Sequence, residues 1–308
     1  MGIYFSENTV IKINDPRYPK ALKKIGKDTP KQLYYRGSWP ADGEAGIFEN
    51  CLAVVGSRRM TAYGKQITQK LVSEIVGAGL SRPPGITIVS GFMYGIDATA
   101  HKTALDVGGR TIAVMPCGIN IVHPEYQVKL YDEILENDGL IISEYEGDFL
   151  PTLWSYPRRN RIVAGLSRAT LVIEAGEKSG SLITANLAKK FNKKIFAVPG
   201  PLTSVLSRGI NQLIKEGAEV VTCADDVVRF YDVSCGGEVS SPNKKEGGET
   251  PPLRTTEERI IQKLQEEPME IDILSRLLKV PITDLGTIMS LMQIKGLIFI
   301  ENGKYYVC

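Results

Sequence analysis

The segment LAVVGSRR, residues 52–59, decides the fold class, because it joins a short apolar run to a basic turn. Leu52–Val55 has the length and β-branched content of a buried strand, and it lacks the polar alternation of a strand with one face in water. Gly56–Arg59 follows with a glycine, a hydroxyl side chain and two guanidinium groups, and the helix-like stretch Lys65–Val76 comes next. A buried strand that leads into a helix predicts a parallel sheet covered by helices.

The same alternation of strand and helix continues through the large N-terminal part of the chain. Further apolar runs bounded by Gly, Pro or Ser are Ile86–Val89, Thr111–Val114, Leu140–Ile142, Leu171–Ile173, Ile195–Val198 and Glu219–Val221. Helix-like stretches between them are Ile96–Val107, Pro124–Glu136 and Leu182–Phe191. The pattern predicts the α/β class, with an extended Rossmann-like parallel sheet in residues 51–234. Residues 1–50 do not follow it, and we predict a lead-in segment there without a topology.

A change of composition divides the chain. Residues 235–253, CGGEVSSPNKKEGGETPPL, contain nine Gly, Pro or Ser in 19 positions, which predicts a flexible linker. The remaining residues 254–308 show helical patterns followed by LIFIENGKYYV, in which Asn302-Gly303 is a strong hairpin signal. Helices followed by a hairpin predict a small C-terminal winged-helix domain.

Composition and charge exclude several classes of protein. Of the 308 residues 43% are hydrophobic, which is enough for a buried core, and no apolar run reaches the length of a membrane span. The five cysteines are scattered and never form a CxxC pair, so we expect a cytoplasmic protein with reduced thiols and no zinc site. The net charge of +2 sums +4 in residues 1–234 and −1 each in the linker and the C-terminal part. Attraction for an anion therefore belongs to the large part.

The turn Gly56, Ser57, Arg58 and Arg59 is the first candidate phosphate site. It offers free N–H groups at a helix start together with two bidentate donors. Binding of NAD is not expected, because the turn is not GxGxxG and the next strand ends in Ser90-Gly91 instead of an acid. We therefore predict no cofactor.

The second candidate site is WSYPRRNR, residues 154–161, in a window without acidic residues between Phe149 and Ile173. Its candidate binding residues are Tyr156, Arg158, Arg159, Asn160 and Arg161. Aromatic rings beside guanidinium groups suit unpaired bases and phosphates together. Because Pro157 favours an extended residue before it, we predict a loop there.

Two more strand ends carry polar groups. Lys178, Ser179, Gly180 and Ser181 precede a helix, with Ser181 predicted as its N-cap, and they form a third anion-receptive turn. Asp97 and His101 are four residues apart, and we predict a hydrogen-bonded pair that fixes their helix. Two such ligands do not make a metal site. The three basic turns converge on one edge of the sheet and favour a polyphosphate or a nucleic-acid strand.

These motifs resemble the DNA-processing protein A family (DprA, also called Smf). The matching blocks include VVGSRRMTAYG (54–64), IVSGFMYGIDATAHKTAL (88–105), YPRRNRIVAGLSRATLVIEAGEKSGSLITANLA (156–188) and LSRGINQLIKEGA (206–218). The resemblance implies a protein without established catalysis that binds single-stranded DNA, forms a homodimer, protects incoming DNA and loads RecA recombinase during natural transformation. It also implies phosphate binding by Gly56, Ser57, Arg58, Arg158 and Arg159.

One position departs from the family pattern. Tyr94 stands where many members have an arginine. Either a contact to DNA is missing there, or the tyrosine replaces it by stacking on a base.

Two other functions stay open at this stage. A nucleoside monophosphate hydrolase on a related fold would need a carboxylate at a strand end, and Glu174 is in such a place. A regulator would read duplex DNA with its winged helix, but the net charge of −1 in residues 254–308 argues against strong duplex binding.

Overall fold

The computed structural model describes residues 9–41, 46–80, 85–233 and 259–307, apart from 262, 265, 266, 268, 279, 281, 295, 296, 302 and 303 in the last range. The chain divides into two compact units, Met1–Val239 and Ser240–Cys308. The predicted linker 235–253 lies outside the described residues.

The larger unit is built on a nine-stranded sheet in the described part of the chain. Its strands are β1 Thr9–Lys12, β2 Gln32–Gly37, β3 Cys51–Val55, β4 Thr87–Ser90, β5 Thr111–Gly118, β6 Leu140–Tyr145, β7 Ala169–Val172, β8 Lys194–Ala197 and β9 Glu219–Val220. Their order is β1-β2-β6-β5-β4-β3-β7-β8-β9. The seven neighbouring strands β6-β5-β4-β3-β7-β8-β9 are all parallel to one another. The predicted parallel α/β sheet is confirmed, with a strand at each of the seven apolar runs.

Part of segment 1–50, which the sequence set apart, belongs to this sheet. Strand β2 pairs antiparallel with β6, and β1 pairs antiparallel with β2 at the edge. The strand-and-helix pattern gave no sign of this arrangement, because β2 pairs with residues more than a hundred positions later in the chain.

Helices cover both faces of the sheet. They are α1 Lys20–Lys23, α2 Ala62–Leu80, α3 Ile96–Asp106, α4 Val128–Glu136, α5 Ser155–Leu166, α6 Gly180–Lys190, α7 Arg208–Lys215 and α8 Ala224–Val233. One buried cluster includes Leu22, Ile162 and Ala185, and a second cluster, separate from the first, includes Leu71 and Val227. Burial of strand residues in both clusters explains why the strands are apolar without alternation.

Helix α5 corrects one prediction, because WSYPRRNR was expected to be a loop. The helix begins at Ser155, which places Pro157 in its first turn. A proline is tolerated there since the first N–H groups of a helix have no intrahelical acceptor to lose.

The smaller unit has the winged-helix architecture that the sequence predicted. Residues 259–261, 263 and 264 are helical, and α9 Ile271–Leu278, α10 Ile282–Ile294 and the strands β10 Ile298–Glu301 and β11 Lys304–Val307 follow. The two strands pair antiparallel, with Glu301 opposite Lys304, which confirms a hairpin around the two predicted turn residues. Across the described residues, no helix has the length and apolar character that a membrane span requires.

Candidate nucleic-acid interface

The strand order reverses at β3. From β3 the chain first adds β4 and then β5 and β6 on one side, and it returns to place β7 and β8 on the other side. At such a switch point the loops that follow two neighbouring strands diverge and leave a crevice at the carboxyl ends of the strands. The two loops in question follow β3 and β7, and both were predicted as anion sites.

A pocket of about 680 Å³ fills this crevice, a size within the usual range for a small-molecule site. Nine of the thirteen predicted binding residues line it: Gly56, Ser57, Arg58, Arg59, Asn160, Lys178, Ser179, Gly180 and Ser181. The other lining residues are Met93, Tyr94, Asp97, Gly176, Glu177, Thr184, Val205 and Leu206.

The loop after β3 is held by the loop after β4. The Ile96 N–H donates to the Ser57 carbonyl at 3.2 Å, and the Arg59 N–H donates to Ser57 Oγ at 3.1 Å. Gly95 has a φ of 83°, and a Cβ there would lie 2.4 Å from the Ser57 oxygen. Only glycine fits such a position, because both the backbone angle and the close approach exclude a side chain. The loop is thereby fixed, while Arg58 and Arg59 remain exposed.

Arg58 lies over an aromatic ring at the margin of the pocket. Its guanidinium carbon is 5.0 Å from the centre of the Tyr156 ring, and the Tyr156 hydroxyl is hydrogen-bonded to His123 Nε2 at 2.7 Å. The arrangement restrains the arginine without neutralising it, since a ring face attracts a cation and carries no net charge.

The start of α6 forms the opposite wall. Ser179 is its N-cap, and its Oγ accepts a hydrogen bond from the Ser181 N–H. This corrects the predicted cap at Ser181, whose hydroxyl lies 2.7 Å from that of Ser179. Asn160 Nδ2 donates to the Gly180 carbonyl at 3.4 Å, so α5 meets α6 at this wall. The positive end of the α6 dipole and the exposed Lys178 would both attract an anion to this wall.

Arg159 does not face the pocket as an open donor. It is 3% exposed, and its Nη1 donates to the carbonyls of Gly91 and Val114. Burial lowers the pKa of this guanidinium to about 10, against the opposing effect of Asp97. Burial raises the pKa of Asp97 to about 6, with Arg159 as the main opposing influence. The two groups influence each other's ionisation, and the hydrogen bonds from Arg159 tie α5 to the loop after β4 and to the middle of β5.

The remaining arginines of the acid-free window also have partners. Arg161 Nη2 is 2.5 Å from Glu144 Oε1, and Arg158 Nε is 3.3 Å from Glu144 Oε2. The Arg158 side chain is 54% exposed, against 11% for Arg161. Arg168 is at the opposite edge of the sheet, where it donates to Asn50 Oδ1. The absence of acidic residues from this stretch of sequence therefore does not mean that its arginines lack acidic neighbours in the fold.

Asp97 and His101 do not pair with each other, contrary to the prediction. His101 is fully buried and lies 2.6 Å from Thr111 Oγ1 through its Nδ1. Burial lowers the pKa of His101 to about 3, so the ring is neutral at physiological pH. Asp97 Oδ2 instead accepts a hydrogen bond from the Met93 N–H at 3.4 Å.

Glu174, the carboxylate of the hydrolase alternative, is buried and engaged. Its Oε2 accepts the Thr61 N–H at 2.9 Å and its Oε1 accepts the Thr61 hydroxyl at 2.5 Å. It therefore caps the start of α2, and it is not among the residues that line the pocket.

Sequence reasoning missed Val205 and Leu206, which come from the segment after β8. The sequence did contain a signal for them: β8 is a parallel strand, so the segment that follows it must begin at the same edge of the sheet as the loops after β3 and β7. Thr184 of α6 also lines the pocket.

The chain matches known proteins over both of its parts. Residues 9–232 match the family described as DNA recombination-mediator protein A, and residues 244–304 match the DprA winged helix domain. Protein Smf of Synechocystis is 33% identical over 95% of this chain and 78% of its own length. Protein Smf of Escherichia coli is 40% identical over 63% of this chain, which spans only 50% of that protein.

Two solved structures resemble the chain over about three quarters of its length. DNA processing protein A from Streptococcus pneumoniae superposes with a TM-score of 0.65 and 37% identity, over 73% of this chain and 75% of that one. DNA processing protein A from Helicobacter pylori, solved to show its single-stranded DNA binding mode, superposes with a TM-score of 0.62 and 33% identity, over 74% and 97%. Since the family match covers most of the larger unit and includes the loops of the pocket, the chain belongs to the DNA recombination-mediator protein A family.

Proposed function

We propose that the chain binds single-stranded DNA with the phosphates seated between the loop after β3 and the start of α6. The observation that carries the proposal is the set of exposed cations at this crevice, Arg58, Arg59 and Lys178. In the described part of the chain, none of the three has a carboxylate within salt-bridge distance. Unneutralised cations beside a helix N-terminus suit a polyanion.

The rings beside the crevice favour an unpaired strand over a duplex. Tyr94 lines the pocket and is 40% exposed, and Tyr156 lies under Arg58. Bases stack on such rings only when they are not already stacked and paired within a helix. Tyr94 thus supplies stacking where many family members supply an arginine. The structure of the Helicobacter pylori relative, which concerns single-stranded DNA, supports the same ligand.

We further propose that the chain acts in the cytoplasm as a homodimer, protects incoming DNA and delivers it to RecA during natural transformation, as its family suggests. One pocket contacts few phosphates, so linking two pockets in a dimer raises the affinity for one strand without new contacts. Assembly of RecA filaments on DNA coated with single-strand-binding protein tests this role. Acceleration by the chain is expected, and no change in filament assembly would contradict it.

The pocket is tested with the double variant Arg58→Gln, Lys178→Gln, which removes two cations and preserves side-chain length approximately. We expect a loss of about a hundredfold in affinity for oligo-dT, from about 1.4 kcal/mol for each lost contact. Fluorescence anisotropy at fixed salt measures it. The matched control is Lys70→Gln, Lys129→Gln, which removes the same charge from exposed positions on α2 and α4. Equal affinity of the two double variants would contradict the pocket.

A further inference from the structure

A second concentration of positive charge lies at the opposite edge of the sheet, where β7 and β8 begin. Arg168 and Lys193 immediately precede these strands, and the pairing of Ala169 with Lys194 places them side by side. Lys24, at the end of α1, is close enough to Lys193 to influence its ionisation. We call Lys24, Lys27, Lys193 and Arg168 the amino-edge cluster.

Packing against α5 holds α1 and the residues after it beside the amino-edge cluster. A Cβ on Gly165 of α5 would lie 2.9 Å from Leu22 and 3.0 Å from Ile25, so α1 and the residues after it pack directly on the end of α5. Lys190 at the end of α6 forms an ion pair of 2.5 Å with Asp28. Two segments far apart in the sequence, KALKKIGK (20–27) and KKFNKK (189–194), are thus neighbours at this edge, with Lys24 near Lys193 and Asp28 paired with Lys190.

Nearby acids neutralise part of this charge. Lys189 pairs with Glu216 at 3.4 Å, and Lys194 pairs with Glu219. In the part of the chain that the structure describes, no carboxylate lies within salt-bridge distance of Lys24, Lys27 or Lys193. Arg168 contacts the neutral amide of Asn50 and the ring of Tyr231. The cluster therefore keeps its positive charge.

The surroundings of Lys193 make its protonated form less favourable. Its side chain is partly buried, and burial together with the neighbouring Lys24 and Arg168 lowers its pKa. A partly buried cation among like charges costs free energy unless an anion compensates it. A cavity of about 190 Å³ opens beside it, with Lys189, Lys193 and Lys194 among its lining residues. Glu216, the partner of Lys189, also lines the cavity, so Lys193 is the ammonium group there that an anion would compensate.

We propose that the amino-edge cluster is a second site for single-stranded DNA, which holds the strand by its phosphates alone. The identity of the ligand, single-stranded DNA, rests on the proposed function, whereas the location of the site does not. None of the exposed aromatic side chains among the described residues, which are Tyr63, Tyr94, Tyr126, Trp154 and Phe299, belongs to the segments that carry the cluster. Flexible lysines act as point charges on a backbone and do not read a sequence.

The two sites lie at opposite ends of the same parallel strands. A strand held at both must pass around the domain, which only a long oligonucleotide can do. The expected signature is therefore a dependence on length: a short oligo-dT reports on the pocket, and a long oligo-dT reports on both sites.

The test compares Lys24→Gln, Lys193→Gln with the control Lys70→Gln, Lys129→Gln by fluorescence anisotropy over a range of salt concentrations. We expect affinity for long oligo-dT to fall about tenfold in the cluster variant, from two lost charge contacts. The slope of log affinity against log salt should become shallower by about 1.4, at roughly 0.7 for each phosphate contact. Affinity for short oligo-dT and the melting temperature should stay at the parent values or above.

Three results would overturn the proposal. The first is that the cluster variant binds long oligo-dT with the affinity of the control. The second is that it loses affinity equally for short and long oligo-dT. The third is that an oligo-glutamate peptide binds the parent but not the cluster variant, while long oligo-dT binds both with equal affinity. That result would assign the surface to an acidic protein partner.

The outcome is separable from that of the pocket. If Arg58→Gln, Lys178→Gln leaves the affinity unchanged while the cluster variant lowers it for long oligo-dT, the proposed pocket fails and the amino-edge cluster stands. If only the pocket variant lowers the affinity, the cluster fails and the proposed function stands.

Discussion

The loop after β3 and helix α5 are both rich in arginine, yet they use it differently. Arg58 and Arg59 on the loop are exposed and, within the described residues, form no ion pair. On α5, Arg159 is buried on two carbonyl groups and Arg161 is paired with Glu144. The comparison shows that arginine content in a sequence does not give the number of cations that are available to a ligand.

The difference follows from the geometry of the two segments. A helix turns by about 100° for each residue, so neighbouring arginines on α5 must point in different directions. Arg158 and Arg161, three apart, share the face toward Glu144, whereas Asn160 reaches the pocket. A loop fixed by its backbone, as after β3, has no such constraint and leaves its side chains in water.

The largest effect is expected from Arg159→Met, which tests whether Arg159 has a structural role. If Arg159 is a structural group, removing it leaves the buried carbonyls of Gly91 and Val114 without their donor and removes the cation that favours the charged form of Asp97. We expect the free energy of unfolding to fall by about 2–6 kcal/mol, at about 1–3 kcal/mol for each buried carbonyl that loses its donor. Urea denaturation measures it.

The matched control is Arg58→Met, which should change the free energy of unfolding by no more than about 0.5 kcal/mol, as is usual at an exposed position. A stable Arg159→Met protein that had lost DNA binding would make Arg159 a ligand contact and reverse the distinction.

A smaller effect is expected from pH, through Asp97. Its pKa is raised to about 6 from an ordinary value of 3.8, so the folded state holds this proton more tightly than the unfolded chain. The stability it contributes is therefore fully present below about pH 4 and is lost as the pH rises through 6. Because Asp97 lines the pocket, its protonation also removes a negative charge from the proposed phosphate site.

Affinity for oligo-dT should thus rise roughly fivefold between pH 7 and pH 5, the effect of about one screened charge. Anisotropy titrations at constant ionic strength measure it, and Asp97→Asn should abolish the dependence. The same rise in the variant would assign the titration to another group, such as His123, whose pKa is lowered mainly by burial.

The smallest effect is expected for Arg158→Gln. Arg158 is exposed, lies outside the pocket and is already next to Glu144. Its removal should lower the affinity for oligo-dT no more than about threefold, the range of a surface ion pair. A loss as large as that of Arg58→Gln would show that the strand leaves the pocket across α5, and the two regions would then form one surface.

Much of the fold could be predicted from local patterns. Strands β3 to β7 appear as apolar runs because nearly all of their residues are buried, whereas β8 is partly buried and β9 at the edge is exposed. The hairpin of β10 and β11 follows from its Asn-Gly turn. Strands β1 and β2 and helix α5 could not be predicted in the same way. The first two depend on pairing with β6, and α5 contains a proline that reads as a loop signal until its place in the first turn is known.

Local features of the sequence indicate which turns carry groups suited to a phosphate, since a glycine, a hydroxyl and basic side chains follow an apolar run there. They also place these turns at one edge of the sheet, because parallel strands end at the same edge. The tertiary structure adds which strands are neighbours and which arginines have no acidic partner among the described residues. The partners of Arg159 are 45 and 68 residues away, and Glu144 is 17 residues from Arg161. Such distant contacts fix whether a cation is buried, paired or open to DNA, and no local pattern encodes them.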